Sequence, residues 1–159
     1  AACLEKFTGK KLSEIPGTGA AGGLGFAFLW GLPNVELKPG IDIVLEAVGL
    51  TNELKDADVV VTGEGCIDFQ TAMGKVPVGV AKTAKNYNCK VIAFAGSVTE
   101  EAKNCNEKGI DAVFSILPGV CSLDEAMDTE TAQKNMRNAA EQVFRLILAC
   151  GKEKSSLHP

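Results

Sequence analysis

Histidine is almost absent. The single one, His158, sits in the polar stretch GKEKSSLHP beside the C-terminus, where a solvated side chain is expected. Ser–His–Asp and Cys–His catalysis are thereby excluded, as are histidine-rich metal sites. There is also no CxxC pair. Cysteines 3, 66, 89, 105, 121 and 150 are scattered, which points to reduced thiols in a cytosolic protein rather than a disulfide frame or a zinc site. Basic residues are in the minority, 16 Lys+Arg against 20 Asp+Glu for a net charge of -4, so nothing draws the chain to nucleic acid or an anionic membrane. No signal-peptide pattern occurs and no apolar run is long enough to span a bilayer, so the cytoplasm is the expected location. A starting Met is lacking as well: the chain opens on AACLEKFTGKKL, as though a helix had been entered midway.

What is there suits an ordinary globular domain: 159 residues, 46% hydrophobic and 23% charged. Without histidine, chemistry falls to carboxylates, lysines, hydroxyls and backbone dipoles. That restriction favours phosphoryl transfer, in which positioning and charge neutralisation do most of the catalysis.

Periodicity predicts a loop over 13–19, a buried helix over 20–32, a turn with a short strand over 33–40 and a helix over 41–50. A regular alternation follows. ADVVVTG (57–63) reads as a strand buried on both faces, 76–88 as a helix and KVIAFAG (90–96) as a second buried strand. A helix over 97–109 is expected to open on a Ser97–Glu100 capping box and stop at Gly109. DAVFSI (111–116) reads as a third strand, and the last helix, 129–150, is apolar on one face at 136, 139, 140, 143, 144, 147 and 148. The alternation predicts an α/β fold, a parallel sheet covered by helices, with further strands expected from sequence outside this chain.

Two glycine-rich segments carry the candidate chemistry. PGTGAAGGLG (16–25) holds five glycines and two alanines without a charge. GTGAAG at 17–22 matches GxGxxG, yet the preceding KKLSEIP is no hydrophobic strand, so a nicotinamide dinucleotide site is the weakest reading. Close packing of a glycine-rich helix is the plain alternative. The third reading places Gly17, Gly19, Gly22 and Gly23 at a helix N-terminus, where N–H groups bind an anion.

The second segment, TGEGCIDFQTAMGK (62–75), directly follows the first predicted strand, on the rim where parallel sheets bind ligands. Phe69 and Val76 break the Walker A pattern, so it is no P-loop. Glu64 and Asp68, flanked by Gly63 and Gly65, can hold Mg²⁺, and Lys75 can neutralise phosphate, with Gln70 and Thr71 adding polar contacts. A solvated turn with a helix-capping acid is the alternative. Gly96, Ser97 and Thr99 fall on the same predicted rim. Cys66 reads as incidental, and Phe26, Phe28 and Trp30 as core.

IPGTGAAGGLGFAFL, LKPGIDIVLEAVGL, ADVVVTGEGCIDFQTAMGKVPVGVAKTAK, VIAFAGSV and GIDAVFSI, in that order from about Leu12 to Leu148, resemble the glycerate kinase family, the bacterial type unrelated to P-loop kinases. The resemblance implies a Rossmann-like α/β domain and a second α/β domain around a cleft, with ATP and Mg²⁺ as cofactors, glycerate as substrate, and phosphoglycerate and ADP as products. Matched residue by residue, Gly17–Gly25 and the group Gly63, Glu64, Gly65, Asp68, Gln70, Thr71 and Lys75 would line that cleft. The chain departs from the family at Cys66, where a basic residue is common, and in being less than half as long. It therefore resembles the C-terminal portion, with residues 1–45 ending the second domain, 46–159 closing the Rossmann-like one, and the N-terminal part of the same protein as the missing partner.

In the mechanism this suggests, Glu64 or Asp68 ligates Mg²⁺ while the other orients or deprotonates the attacking hydroxyl, and Lys75 offsets phosphoryl charge. The alternatives are a non-catalytic nucleotide- or acid-binding module of the same fold, with the isolated chain inactive, and a nicotinamide-dependent oxidoreductase. A homo-oligomer stays open.

Overall fold

The computed structural model describes residues 2–9 and 11–151; His158 and the predicted solvated tail around it lie outside them. The chain divides into two compact units, Ala1–Val48 and Gly49–Pro159.

The first unit is helical. α1 (Ala2–Thr8) leads into a turn in which Ser13 N–H and Oγ both donate to Glu5 Oε1, at 2.8 and 2.6 Å. α2 (Ala20–Gly31) is interrupted near its start: Ala21, Gly22 and Gly23 have φ of 51, 68 and 96°. α3 spans Gly40–Ala47, and the strand expected within 33–40 is not formed. The expectation of a buried second helix is also overturned. Only Gly25 and Phe26 of α2 are buried, while Phe28 and Trp30, predicted as core, are 44% and 41% exposed. A unit of this size has too little mass to surround an apolar helix on every side.

The second unit carries the sheet. A single helical turn, α4 (Leu50–Glu53), and a short 3₁₀ turn precede β1 (Val59–Ile67). Then come α5 (Phe69–Ala72), α6 (Val76–Lys85), β2 (Lys90–Val98), a 3₁₀ helix (Glu100–Lys108), β3 (Ala112–Ser115), α7 (Leu123–Met127) and α8 (Thr129–Gly151). The three strands are parallel in the order β1–β2–β3, with Val61 opposite Ile92 and Phe94 opposite Phe114.

β2 is the strand buried on both faces, and its alternation divides the core. Val91, Ala93 and Ala95 join Leu54, Ile67, Val78, Ala81, Ala84 and Ile110 on one side. Ile92 and Phe94 pack with Val143 of α8 on the other. β1 was expected to be equally buried, but it lies at an edge of the described sheet, and Val61 is 49% exposed.

The stripe predicted along α8 is buried only in its middle. Val143 is enclosed, with Ala139, Ala140 and Ile147 packed beside it. Met136 and Leu148 remain exposed because a three-stranded sheet is narrower than a 23-residue helix is long, and Phe144, although next to Val143, lies outside the packed cluster. The Ser97–Glu100 capping box does not form. β2 keeps its ladder through Val98, so Ser97 is spent opposite Cys66, and the next helix is 3₁₀ with Thr99 at its cap. Its stop is where expected, at Gly109 with φ 105°.

Candidate functional site

The segment read from sequence as a loop begins as strand. β1 continues past Gly63 to Ile67, so Glu64 and Cys66 are ladder residues opposite Ala95 and Ser97. Gly63 permits this: a Cβ there would collide with the Phe94 carbonyl oxygen. A Cβ at Gly65 would meet no atom within 4 Å, so packing does not account for that glycine.

At the carboxyl end of β1 the chain turns into α5, and Asp68 caps it. Its Oδ1 accepts the N–H groups of Gln70 at 2.9 Å and Thr71 at 3.1 Å, while Thr71 Oγ1 accepts the Asp68 N–H at 3.2 Å. This reciprocal pair is a capping box. Thr71 is fully buried, and its hydroxyl donates to Glu64 Oε1 on the strand. Lys75, at the N-cap of α6, brings Nζ to 3.7 Å from Asp68 Oδ1 with 41% of its side chain exposed. Burial raises the Asp68 carboxyl, but the Thr71 N–H, the Lys75 charge, the Gln70 N–H and the Thr71 hydroxyl outweigh it, so its pKa lies below the usual carboxylate value.

Glu64, Asp68, Thr71 and Lys75 are thus one connected group, and Gln70 joins it through its backbone alone. Glu64 and Asp68 each have one oxygen engaged. Oε2 and Oδ2 take no hydrogen bond or ion pair among the described residues. Two carboxylates gathered on one residue, Glu64 through the Thr71 hydroxyl and Asp68 through its N–H, repel each other, which a cation relieves. Their donor set fits Mg²⁺, which uses one or two carboxylates and completes its shell with water and phosphate oxygens. No cluster of three or more metal-binding side chains occurs among the described residues.

Gly17–Gly25 lies in the other unit. Gly17, Gly22 and Gly23 have φ of 92, 68 and 96°, and Gly19 caps α2 with ordinary helical angles. Part of the expected N–H array is spent inside the run. Ala20 donates to Gly17, Gly23 to Gly19 and Phe26 to Thr18, at 3.0, 3.3 and 3.0 Å. Close packing is realised at Gly25, where a Cβ would meet the Gly17 carbonyl oxygen at 2.5 Å. Beside the run is a cavity of about 570 Å³ within this unit, lined by Gly17, Leu24, Phe28, Leu37, Lys38 and Ile43 among others. Among the described residues no strand leads into Gly17, so the dinucleotide reading of GTGAAG fails on structure as it did on context.

The sequence reading missed the link from Thr71 to Glu64, which spans seven positions and two elements. The signal for Asp68 was present: Asp followed by Thr three residues on is a cap pattern. All six cysteines are free, with Cys89 and Cys105 buried and Cys66 exposed. Among the described residues no helix is long and apolar enough to cross a membrane.

Comparison with known proteins gives a consistent result. The model of the glycerate kinase family matches residues 1–148. The chain is 52% identical over 124 residues to a glycerate kinase of Halalkalibacterium halodurans, covering 78% of this chain and 32% of that protein. It is 47% identical over 143 residues to a glycerate kinase of Bacillus subtilis, covering 90% and 37%. The glycerate 2-kinase of Escherichia coli is 49% identical over 115 residues, covering 72% and 30%. A crystal structure of a proposed glycerate kinase 2 from Salmonella typhimurium LT2 superposes with a TM-score of 0.66 at 39% identity, over 96% of this chain and 38% of that one. The chain spans about a third of the length of the curated relatives it matches.

Proposed function

The chain belongs to the glycerate kinase family, and from that premise we propose that it supplies part of the machinery that phosphorylates glycerate with ATP and Mg²⁺. Residues 1–45 then end one α/β domain and 46–159 close a Rossmann-like one. The observation that carries the chemistry is the connected group Glu64, Thr71, Asp68 and Lys75 at the carboxyl rim of a parallel sheet, where such folds place their ligands.

Bound Mg²⁺ would neutralise and orient the phosphate oxygens. Glu64 Oε2 and Asp68 Oδ2 are the atoms that would hold it. Asp68 is ionised at neutral pH, and the N–H donors and Lys75 hold its pKa below the usual carboxylate value. The Lys75 ammonium, half exposed, offsets charge on the phosphoryl group in transfer. The bond from the glycerate hydroxyl oxygen to phosphorus forms as the bond to ADP breaks, and the hydroxyl proton leaves to a carboxylate or to water. In the other unit, residues 21–23 take left-handed backbone angles that break the start of the helix, and the anion such a glycine-rich helix start would hold is the glycerate carboxylate or a phosphate.

The test is glycerate-dependent ADP formation by the complete protein, with and without Mg²⁺, and with Asp68→Asn. Turnover that needs both glycerate and Mg²⁺, with kcat falling far more than KM rises in the variant, is expected. ADP formation indifferent to glycerate, or heat stabilisation by NADH rather than ATP, overturns the reading. The 159 residues alone should turn over far more slowly, since a misplacement of about 1 Å can cost on the order of 100-fold.

A further inference from the structure

We propose that Thr71 is a positioning residue of this site, holding both carboxylates at once: its N–H holds Asp68 and its hydroxyl holds Glu64. The inference rests on the phosphoryl-transfer reading above. A hydroxyl has one proton and two lone pairs. The proton goes to Glu64 Oε1, and one lone pair takes the Asp68 N–H at 3.2 Å. Asp68 Oδ1, 3.4 Å from the hydroxyl, is served by the two backbone N–H groups instead.

Capping α5 requires nothing of Glu64, which lies on β1, seven residues upstream. The terminal torsion of a glutamate is broad, so a free carboxylate would sample many orientations. Tied to a fully buried hydroxyl, it is kept to those that turn Oε2 away from Thr71, the same residue whose N–H holds Oδ1 of Asp68 and leaves its Oδ2 unengaged. One buried side chain thereby sets the spacing of the two oxygens that would take the metal.

The experiment measures Mn²⁺ affinity by electron paramagnetic resonance on the complete protein without nucleotide, and the Mg²⁺ dependence of turnover. Thr71→Val keeps shape and removes the hydroxyl; Mn²⁺ affinity should fall about tenfold or more, the range for losing a residue that orients a ligand. The Mg²⁺ requirement should rise in parallel, with kcat at saturating Mg²⁺ less affected. Thr71→Ser, which keeps the hydroxyl, should restore most of both. On a Glu64→Gln background, Thr71→Val should add little, because the two act through one interaction. Unchanged affinity in Thr71→Val, an equal loss in Thr71→Ser, or independent losses in the double variant overturns the proposal. If Thr71→Val does not fold, Thr71→Cys, with its weak donor, replaces it with the same expectations. A parent protein without glycerate-dependent turnover would overturn the activity, while the Mn²⁺ measurements still decide Thr71.

Discussion

Phe26 is the one buried hydrophobic side chain among the described residues of Ala1–Val48, whereas Gly49–Pro159 encloses two clusters on opposite faces of β2. The first unit is held by turns: Ser13 on Glu5, and Thr18 Oγ1 2.8 Å from the Ile15 carbonyl. The second is held by a parallel ladder and by apolar area removed from water, each fully buried large side chain contributing roughly 1.5–3 kcal/mol. The site chemistry differs accordingly. Asp68, Thr71 and Glu64 are fixed by a buried hydroxyl behind them, while the Gly17–Gly25 run owes its shape to backbone angles.

The largest effect that probes this contrast is at Gly63. Gly63→Ala drives a Cβ into the Phe94 carbonyl, a backbone atom that cannot yield without parting β1 from β2. Unfolding in urea should show a loss of about 4 kcal/mol or more, at the exceptional end for one substitution. Gly25→Ala makes a comparable clash with the Gly17 carbonyl, yet in a unit with little core to disrupt it should cost only about 1–2 kcal/mol. Equal losses at the two positions would break the comparison.

Gly22→Val sharpens it from the other side. No atom lies within 4 Å of a Cβ there, so the cost is the left-handed φ of 68°, about 1–2 kcal/mol. If the run binds an anion, glycerate affinity per folded molecule should fall as well; if it only packs, Tm alone should drop. Tm and Kd on one sample separate the outcomes.

Asp111 ties the second unit together by accepting Lys85 Nζ at 2.5 Å and the Val91 N–H at 2.7 Å. Burial raises its carboxyl, but those two partners outweigh it and bring the pKa below 3.8. Asp111→Ala should cost about 1 kcal/mol at pH 7, the ion-pair share being small because 40% of the side chain is exposed. Because the unfolded chain takes up this proton first, the contribution is full above about pH 4 and is lost as pH falls through the folded value. Urea midpoints of the parent and variant should therefore draw together as pH falls below about 4; a gap that does not narrow in acid would contradict the assignment.

The smallest effect on folding is expected at Lys75. Lys75→Met should change stability by less than about 0.5 kcal/mol, while weakening ATP binding to the complete protein by about 1–3 kcal/mol, the range for a hydrogen bond to a charged group. ATP affinity unchanged by the substitution would remove Lys75 from the site and leave Asp68 as its sole partner.

Several of these features could be read from sequence because they are local. VVV and VIAFAG have the composition of strands in a parallel sheet, Gly109 stops a helix through its own backbone angle, and the parallel pairing follows from the alternation with helices. The polar group around Glu64 and Asp68 was also visible, since its members fall within fourteen residues. What misled was hydrophobicity taken as burial. Phe28, Trp30, Val61 and Phe144 are as apolar as Phe94 or Val91, and nothing in their own segments says whether another element covers them.

By itself, then, the sequence determined the alternating parallel architecture, the rim on which the carboxylates lie and, through its motifs, the family. Those depend on residue type and short spacing. Tertiary structure alone decided that β1 continues through Gly63 to Ile67, that Ser97 serves a ladder instead of a cap, and that Thr71 reaches across to Glu64. Each of these is settled by a partner on another element, at Phe94, Cys66 or Glu64, and the free energy of such a pairing belongs to neither segment alone.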